Sequence, residues 1–117
     1  MSDSRSPTPV LVVRFEGPPR PRAQLSPKTV ARTLGRHLGL RSVTAHARED
    51  GDRDATDVVL AAPELDLLTL REGWAGGLFA EHQGVRATQL VVYQAQRPAG
   101  RADLEASAKR VVALSRG

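Results

Sequence analysis

Short apolar runs along the chain alternate with polar, glycine-rich or proline-rich segments, a pattern typical of a small domain built from strands and helices. The runs at residues 9–16, 57–63 and 87–95 are rich in valine and too short for typical helices, so they predict strands. Residues 42–48 alternate small apolar with polar side chains and predict a strand with one exposed face. The run at 57–63 is the most continuous, and we expect it to be the central strand.

One helix is predicted with both of its ends. Ser26 is a suitable N-cap, and Pro27 suits the first helical position. The pattern continues to about Leu38, and Gly39 is well placed to end the helix in a left-handed conformation. The apolar positions of this stretch form one stripe, which we expect to be buried: Val30, Ala31, Leu34 and Leu38.

Two further helices are indicated less completely. One follows Pro63, where Glu64 and Asp66 suit a helix N-terminus, and it is interrupted or ended by the glycines of 73–79. A terminal helix is predicted over 103–115, with acidic residues near its start and basic residues near its end. Its inward positions would be Leu104, Ala108, Val111, Val112 and Ser115. The segment before the first helix, residues 17–25, contains three prolines and is predicted to be a loop.

The predicted element order is β-α-β-β-α-β-α, in the α/β class broadly defined. The turn around Asp50-Gly51 is too short for a crossover helix, so the strands on either side of it should pair as an antiparallel hairpin. The simplest solution is an α+β sandwich, a ferredoxin-like open-faced sheet with an extra C-terminal helix. The alternative is a parallel sheet, flavodoxin-like or phosphotransferase-IIB-like. We expect a disordered tail over 1–8 and a single domain over 9–117.

The end of the chain carries a family resemblance. Leu90-Val91-Val92-Tyr93, followed by residues 103–114, resembles the closing strand and helix of phosphotransferase-system carriers, of both the IIB and the histidine-containing type. In those families a cysteine or histidine after the first strand carries the phosphate. Residues 17–25 contain neither, so the resemblance implies a fold without phosphocarrier chemistry.

Composition narrows the class of protein. Aromatic residues are only 3% of the 117, so the core must consist of valine, leucine and alanine. The absence of cysteine excludes disulfides and thiolate metal sites and fits a cytoplasmic protein. No apolar run approaches the roughly 20 residues that cross a membrane, so no membrane association is expected. The net charge of +4 comes mostly from arginine, which favours a GC-rich bacterial genome over a nucleic-acid function.

Catalytic and metal motifs are absent from the sequence. There is no G-x-S-x-G, P-loop or H-E-x-x-H pattern. The histidines, His37, His46 and His82, are not spaced as a metal pair with another ligand. We therefore expect no metal and no cofactor. The absence of these motifs favours a non-enzymatic protein but does not exclude an enzyme.

The main hypothesis is a protein-interaction module with a regulatory or accessory role, bound to a protein partner or to copies of itself. Trp74 and Phe79 lie among glycines, where aromatic side chains often anchor interfaces. Burial of Trp74 in a core short of aromatics is the competing interpretation. On the strand at 42–48, His46 and Arg48 should face outward and contribute to partner binding.

Two alternatives remain from the sequence. The first is a nucleic-acid-binding accessory domain, whose phosphate contacts would come from Arg20, Arg22, Lys28, Arg32 and Arg36. The second is a small-molecule-binding or catalytic domain with its site formed by residues 14–25, 62–66 and 94–101, at the carboxyl ends of strands.

Overall fold

A five-stranded antiparallel sheet forms the body of the protein, as a computed structural model shows. The structure describes residues 8–50, 55–80, 84–95 and 109–115. The elements are β1 (Thr8–Glu16), α1 (Pro19–Ala23), α2 (Pro27–Leu38), β2 (Thr44–Asp50), β3 (Ala55–Ala61), α3 (Leu67–Ala75), β4 (Arg86–Ala95) and β5 (Lys109–Ser115).

The strand order in the sheet is β2-β3-β1-β4-β5. The β2–β3 pairing is antiparallel and runs from Thr44 opposite Ala61 to Asp50 opposite Ala55, which confirms the predicted hairpin pairing. Every described strand pair is antiparallel, so the structure does not support the parallel alternative. The middle strand is β1. The prediction that residues 57–63 form the central strand is therefore wrong by one position in the sheet.

Helix α2 has the ends that its sequence predicts. The backbone N–H of Thr29 donates to Ser26 Oγ at 3.4 Å, and Pro27 occupies the first turn. Gly39 follows the helix with φ of 69°, a left-handed conformation that glycine adopts without steric cost. The N–H of Leu40 then donates to the Gly35 carbonyl at 2.8 Å, which satisfies one of the last helical carbonyls.

The predicted loop at 17–25 contains a short helix. Residues Pro19–Ala23 form α1, and the N–H of Arg22 donates to the Pro18 carbonyl at 3.1 Å. Pro19 and Pro21 both lie in the first turn, where backbone N–H groups have no helical acceptor, so proline removes no hydrogen bond there. The loop prediction was wrong because it treated every proline as a helix breaker.

The C-terminal helix predicted over 103–115 is not observed in its described part. Residues 109–115 form β5, an antiparallel partner of β4, whereas 103–108 lie outside the described residues. Val112 and Leu114 both contact the main core, and Val111 is exposed, so burial alternates with the period of a strand. Pairing with the apolar β4 outweighs the charge pattern that suggested a helix.

Helix α3 begins one residue after Asp66. The Asp66 carboxylate accepts hydrogen bonds from the Leu68 N–H at 3.2 Å and from the Thr69 hydroxyl at 2.6 Å. This confirms the expectation for Asp66, whereas Glu64 lies in the turn before the helix. Gly73 and Trp74 lie inside α3, and the turn after it includes Phe79.

The main core lies between one face of the sheet and the helices. It consists of alternate strand residues with the apolar stripe of α2 and the buried side of α3. Among the described helices none is long and apolar enough to cross a membrane. Residues 1–7 of the predicted tail lie outside the described ranges, and Thr8 already belongs to β1. The largest fully buried members of the core are Phe15, Leu11, Leu34, Leu60, Leu70 and Leu90.

The opposite face of the sheet carries a smaller apolar cluster. Val10, Val12 and Val59 are buried there and Tyr93 packs against them. Beside this cluster lies the carboxylate of Asp57, which is only 4% exposed. Arg14 binds it with two hydrogen bonds, from Nε at 2.9 Å and from Nη2 at 3.0 Å. This second face therefore combines an apolar centre with a buried ion pair.

One buried hydroxyl offers a direct test of the core. Thr56 is 3% exposed, and Oγ1 has no hydrogen-bond partner within the described residues. Replacing it by valine keeps the shape and removes an unsatisfied polar group, so Thr56→Val should raise the free energy of unfolding by about 1 kcal/mol. Urea denaturation measures the change. Thr88→Val is the matched control, because the Thr88 hydroxyl donates to Glu16 at 2.6 Å and its loss should not stabilise. Equal destabilisation by both variants would contradict the assignment.

Candidate functional site

A basic groove of about 590 Å³ lies between α2 and the start of β2. Four cationic residues line it: Lys28, Arg32, Arg36 and Arg41. All four are exposed, and none forms an ion pair within the described part of the chain. No acidic residue is among the described lining residues. The groove therefore concentrates positive charge that no described acidic residue neutralises, and it suits an anionic ligand.

The arrangement of the cations follows from the helix. Lys28, Arg32 and Arg36 are spaced by four residues, so they lie in one row along α2. The apolar residues Val30, Ala31 and Leu34 are buried and fix the helix against the sheet, which leaves the row outward. We call these three residues the basic row.

The fourth cation is placed by the turn after α2. Gly39 turns the chain in its left-handed conformation, and Arg41 follows two residues later and lines the groove. Arg41 was not among the sequence-predicted candidates. The only signal for Arg41 in the sequence was Gly39, two residues earlier. This glycine indicates where the helix ends, but not which face of the helix the following chain packs on.

The floor of the groove is apolar. Leu40, Val43 and Ala45 line it together with Ala31. Gly35 also lines it, and without a side chain it leaves the groove open down to the helix backbone. A glycine inside a helix costs about 1 kcal/mol relative to alanine. A Cβ at Gly35 would meet Leu40 O at 3.4 Å, an ordinary contact, so close packing does not explain the glycine.

One wall of the groove is β2, an edge strand. It pairs with β3 on one side, and no described strand pairs with its other side. Helix α2 packs mainly against β2, so the groove lies at this edge rather than over the middle of the sheet. Thr44 and Ala45 are the strand residues that line it.

The structure divides the predicted phosphate-binding residues. The basic row lines the groove, whereas Arg20 is exposed on α1 and does not line it. Arg22 is 8% exposed, donates from Nε to the Gly17 carbonyl at 3.0 Å and lies 3.8 Å from Glu49. Its guanidinium is already engaged by the Gly17 carbonyl, just after β1, and by the Glu49 carboxylate on β2. Three of the five candidates therefore share one site.

The residues predicted to bind a partner are also divided. Trp74 and Phe79 are 6% and 5% exposed and belong to the main core, which is the competing interpretation for Trp74. A partner could contact them only if the core opened. His46 and Arg48 are exposed on β2, opposite Val59 and Asp57. Arg48 Nη2 lies 3.5 Å from Asp57 Oδ2, so part of its charge is already engaged.

The predicted small-molecule site is not assembled. The end of β1 at Glu16 lies opposite Ala55 and Arg86, whereas the N–H of Ala62 donates to the Pro9 carbonyl at the start of β1. Residues 14–25 and 62–66 are therefore at opposite ends of the sheet. The prediction failed because it assumed parallel strands, whose carboxyl ends would lie together. Of the third segment, 94–101, only Gln94 and Ala95 are described.

Across the described ranges, no group of three or more potential metal ligands is present. Comparison with known proteins yields no relative: no family model, no curated protein and no solved structure matches the chain. The basic groove is thus the feature of the described structure with the clearest chemical preference.

Proposed function

We propose that this protein is an interaction module that binds an acidic segment of a partner protein in the groove between α2 and β2. The observation that carries the proposal is the lining of four cations, with no acidic residue among the described residues of the groove. An acidic segment neutralises this charge, and its apolar atoms can lie on the floor formed by Leu40, Val43 and Ala45. The proposed role is binding and regulation rather than catalysis.

Nucleic acid is the second candidate, because a row of cations also suits phosphates. Single-stranded RNA is usually held by aromatic side chains that stack on bases. Among the described residues the core holds Phe15, Trp74 and Phe79, and only Tyr93 lies on the second face of the sheet, away from the groove. The groove therefore offers charge without a stacking platform, which favours an acidic peptide.

We also propose that the sheet is a ferredoxin-like arrangement with β5 added at one edge. The support is the chain order β1-α2-β2-β3-α3-β4 together with the position of β1 between β3 and β4. In this arrangement α2 packs beside β2 at one side of the sheet, and the groove lies between them.

The test measures binding of a fluorescent acidic peptide by anisotropy, with Arg32→Glu/Arg36→Glu as the variant. Reversing two of the four lining charges should weaken binding roughly thirtyfold, because two attractions become repulsions. The matched control is Arg71→Glu/Arg86→Glu, which changes the net charge equally at exposed positions outside the groove. It should bind within about twofold of the original protein. Equal losses in both variants would show non-specific attraction and contradict the proposal. Tighter binding of a single-stranded oligonucleotide of matched charge would favour the second candidate.

A further inference from the structure

The outer edge of β2 lies beside the basic groove. In the described structure β2 is the last strand on its side of the sheet. An edge strand presents N–H and C=O groups in a row, and an extended segment of another chain can pair with them. The groove thus offers two kinds of contact, side-chain charge from α2 and backbone hydrogen bonds from β2.

The β2 edge lacks two features that usually block such pairing. Residues Thr44–Asp50 contain no proline, and their seven pairs with β3 continue without a register shift. The other edge strand, β5, pairs with β4 through a shift between Val92 and Tyr93. Bulges of this kind twist an edge away from a new strand. The β2 edge is therefore the more regular template of the two.

The half of β2 beside the groove carries mostly small side chains. It contains Thr44, Ala45 and Ala47, with His46 as the one large residue, while Arg48 and Glu49 lie towards the other end of the strand. Small side chains leave the backbone accessible to a partner strand. Charged side chains, which discourage strand addition, are concentrated away from the groove.

The spacing of the basic row matches an extended segment. Residues four apart on α2 are separated by about 6 Å along the helix axis. Side chains on one face of a strand repeat every second residue, about 6.7 Å. Acidic residues at alternate positions of a strand on β2 would therefore meet Lys28, Arg32 and Arg36 in turn.

We infer that the partner segment binds as an additional β-strand on the outer edge of β2, with acidic side chains at every second position facing the basic row. This inference rests on the proposed function and defines its ligand. The backbone of the segment supplies the hydrogen bonds, and the alternate acids select the sequence. The residues between the acids face the side of the sheet that carries His46.

The experiment uses the full chain and four labelled peptides of about eight residues, a typical strand length. One alternates glutamate with threonine, and one has the same composition with the glutamates in a block. The other two are alternating peptides N-methylated at the odd or at the even positions. N-methylation removes the backbone donor, and only one of the two sets should point towards β2.

The expected result is about tenfold tighter binding of the alternating peptide than of the block peptide. One N-methylated isomer should lose at least about tenfold in affinity, and the other should keep most of it. Equal binding of all four peptides, with the charge-reversed variant still impaired, would overturn strand addition and leave the proposed function standing. If none of the peptides binds, the proposed function fails as well.

Discussion

Phe15→Ala should lower the free energy of unfolding by about 3–5 kcal/mol. Phe15 is fully buried on β1, the middle strand, and its ring meets that of Phe79 edge-on at a centroid distance of 6.3 Å. Aromatic residues are only 3% of the chain, so the core has few large side chains. The aliphatic neighbours of Phe15 would leave much of the cavity created by the substitution empty. A domain of this size has a total stability of about 5–15 kcal/mol, so the variant should be close to unfolding.

Urea denaturation followed by the fluorescence of Trp74 measures this effect, since it is the sole tryptophan and is buried. Circular dichroism provides an independent signal for the sheet. Val111→Ala is the matched control, because Val111 is 39% exposed on β5 and should change stability by less than about 0.5 kcal/mol. A loss below about 1 kcal/mol for Phe15→Ala would show that the residue is not the centre of the core.

Asp57→Ala should be the second severe change, with a loss of about 3 kcal/mol. The Asp57 carboxylate is nearly buried and receives two hydrogen bonds from Arg14, whose side chain is only 20% exposed. Alanine leaves this guanidinium in a partly dehydrated position without its carboxylate. The cost of removing the carboxylate from a partly buried guanidinium exceeds the modest net value of the ion pair itself.

Two further variants separate these contributions. Arg48→Ala removes the exposed partner of Asp57 and should cost less than about 1 kcal/mol, because a half-exposed charge stays hydrated. Arg14→Met with Asp57→Leu removes both buried charges and should recover much of the stability lost in Asp57→Ala. If Asp57→Ala cost no more than Arg48→Ala, the buried ion pair would carry no special weight.

Elements with local signals could be predicted from the sequence. Helix α2 is specified by neighbouring residues: a hydroxyl cap at Ser26, a proline in the first turn and a glycine at the end. The β2–β3 pairing followed from the shortness of the link between them. In each case the deciding interactions lie within a few residues, where sequence patterns carry most of their information.

Elements decided by distant partners could not be predicted. The segment 109–115 has a charge pattern typical of a helix end, but it becomes β5 because β4 offers an apolar partner strand. Trp74 lies in a glycine-rich stretch, so the sequence did not decide between a place in the core and a place at an interface. In the structure it packs in the core. Tertiary contacts outweighed local preference in both places.

The candidate site was half visible in the sequence. Spacing alone put Lys28, Arg32 and Arg36 on one helix face. It could not show that this face borders an edge strand, that Arg41 also lines the groove, or that Arg22 contacts Gly17 and Glu49. These facts depend on how α1 and α2 pack against the sheet.

The central position of β1 also sets the order in which the strands of the sheet can pair. Val10 lies opposite Ala61 on one side and Tyr93 on the other, so both neighbours of the middle strand come much later in the chain. During synthesis β1 therefore has two unpaired edges until first β3 and then β4 have been made. Such edges can pair with other chains, so rapid completion of the sheet protects the nascent protein from aggregation.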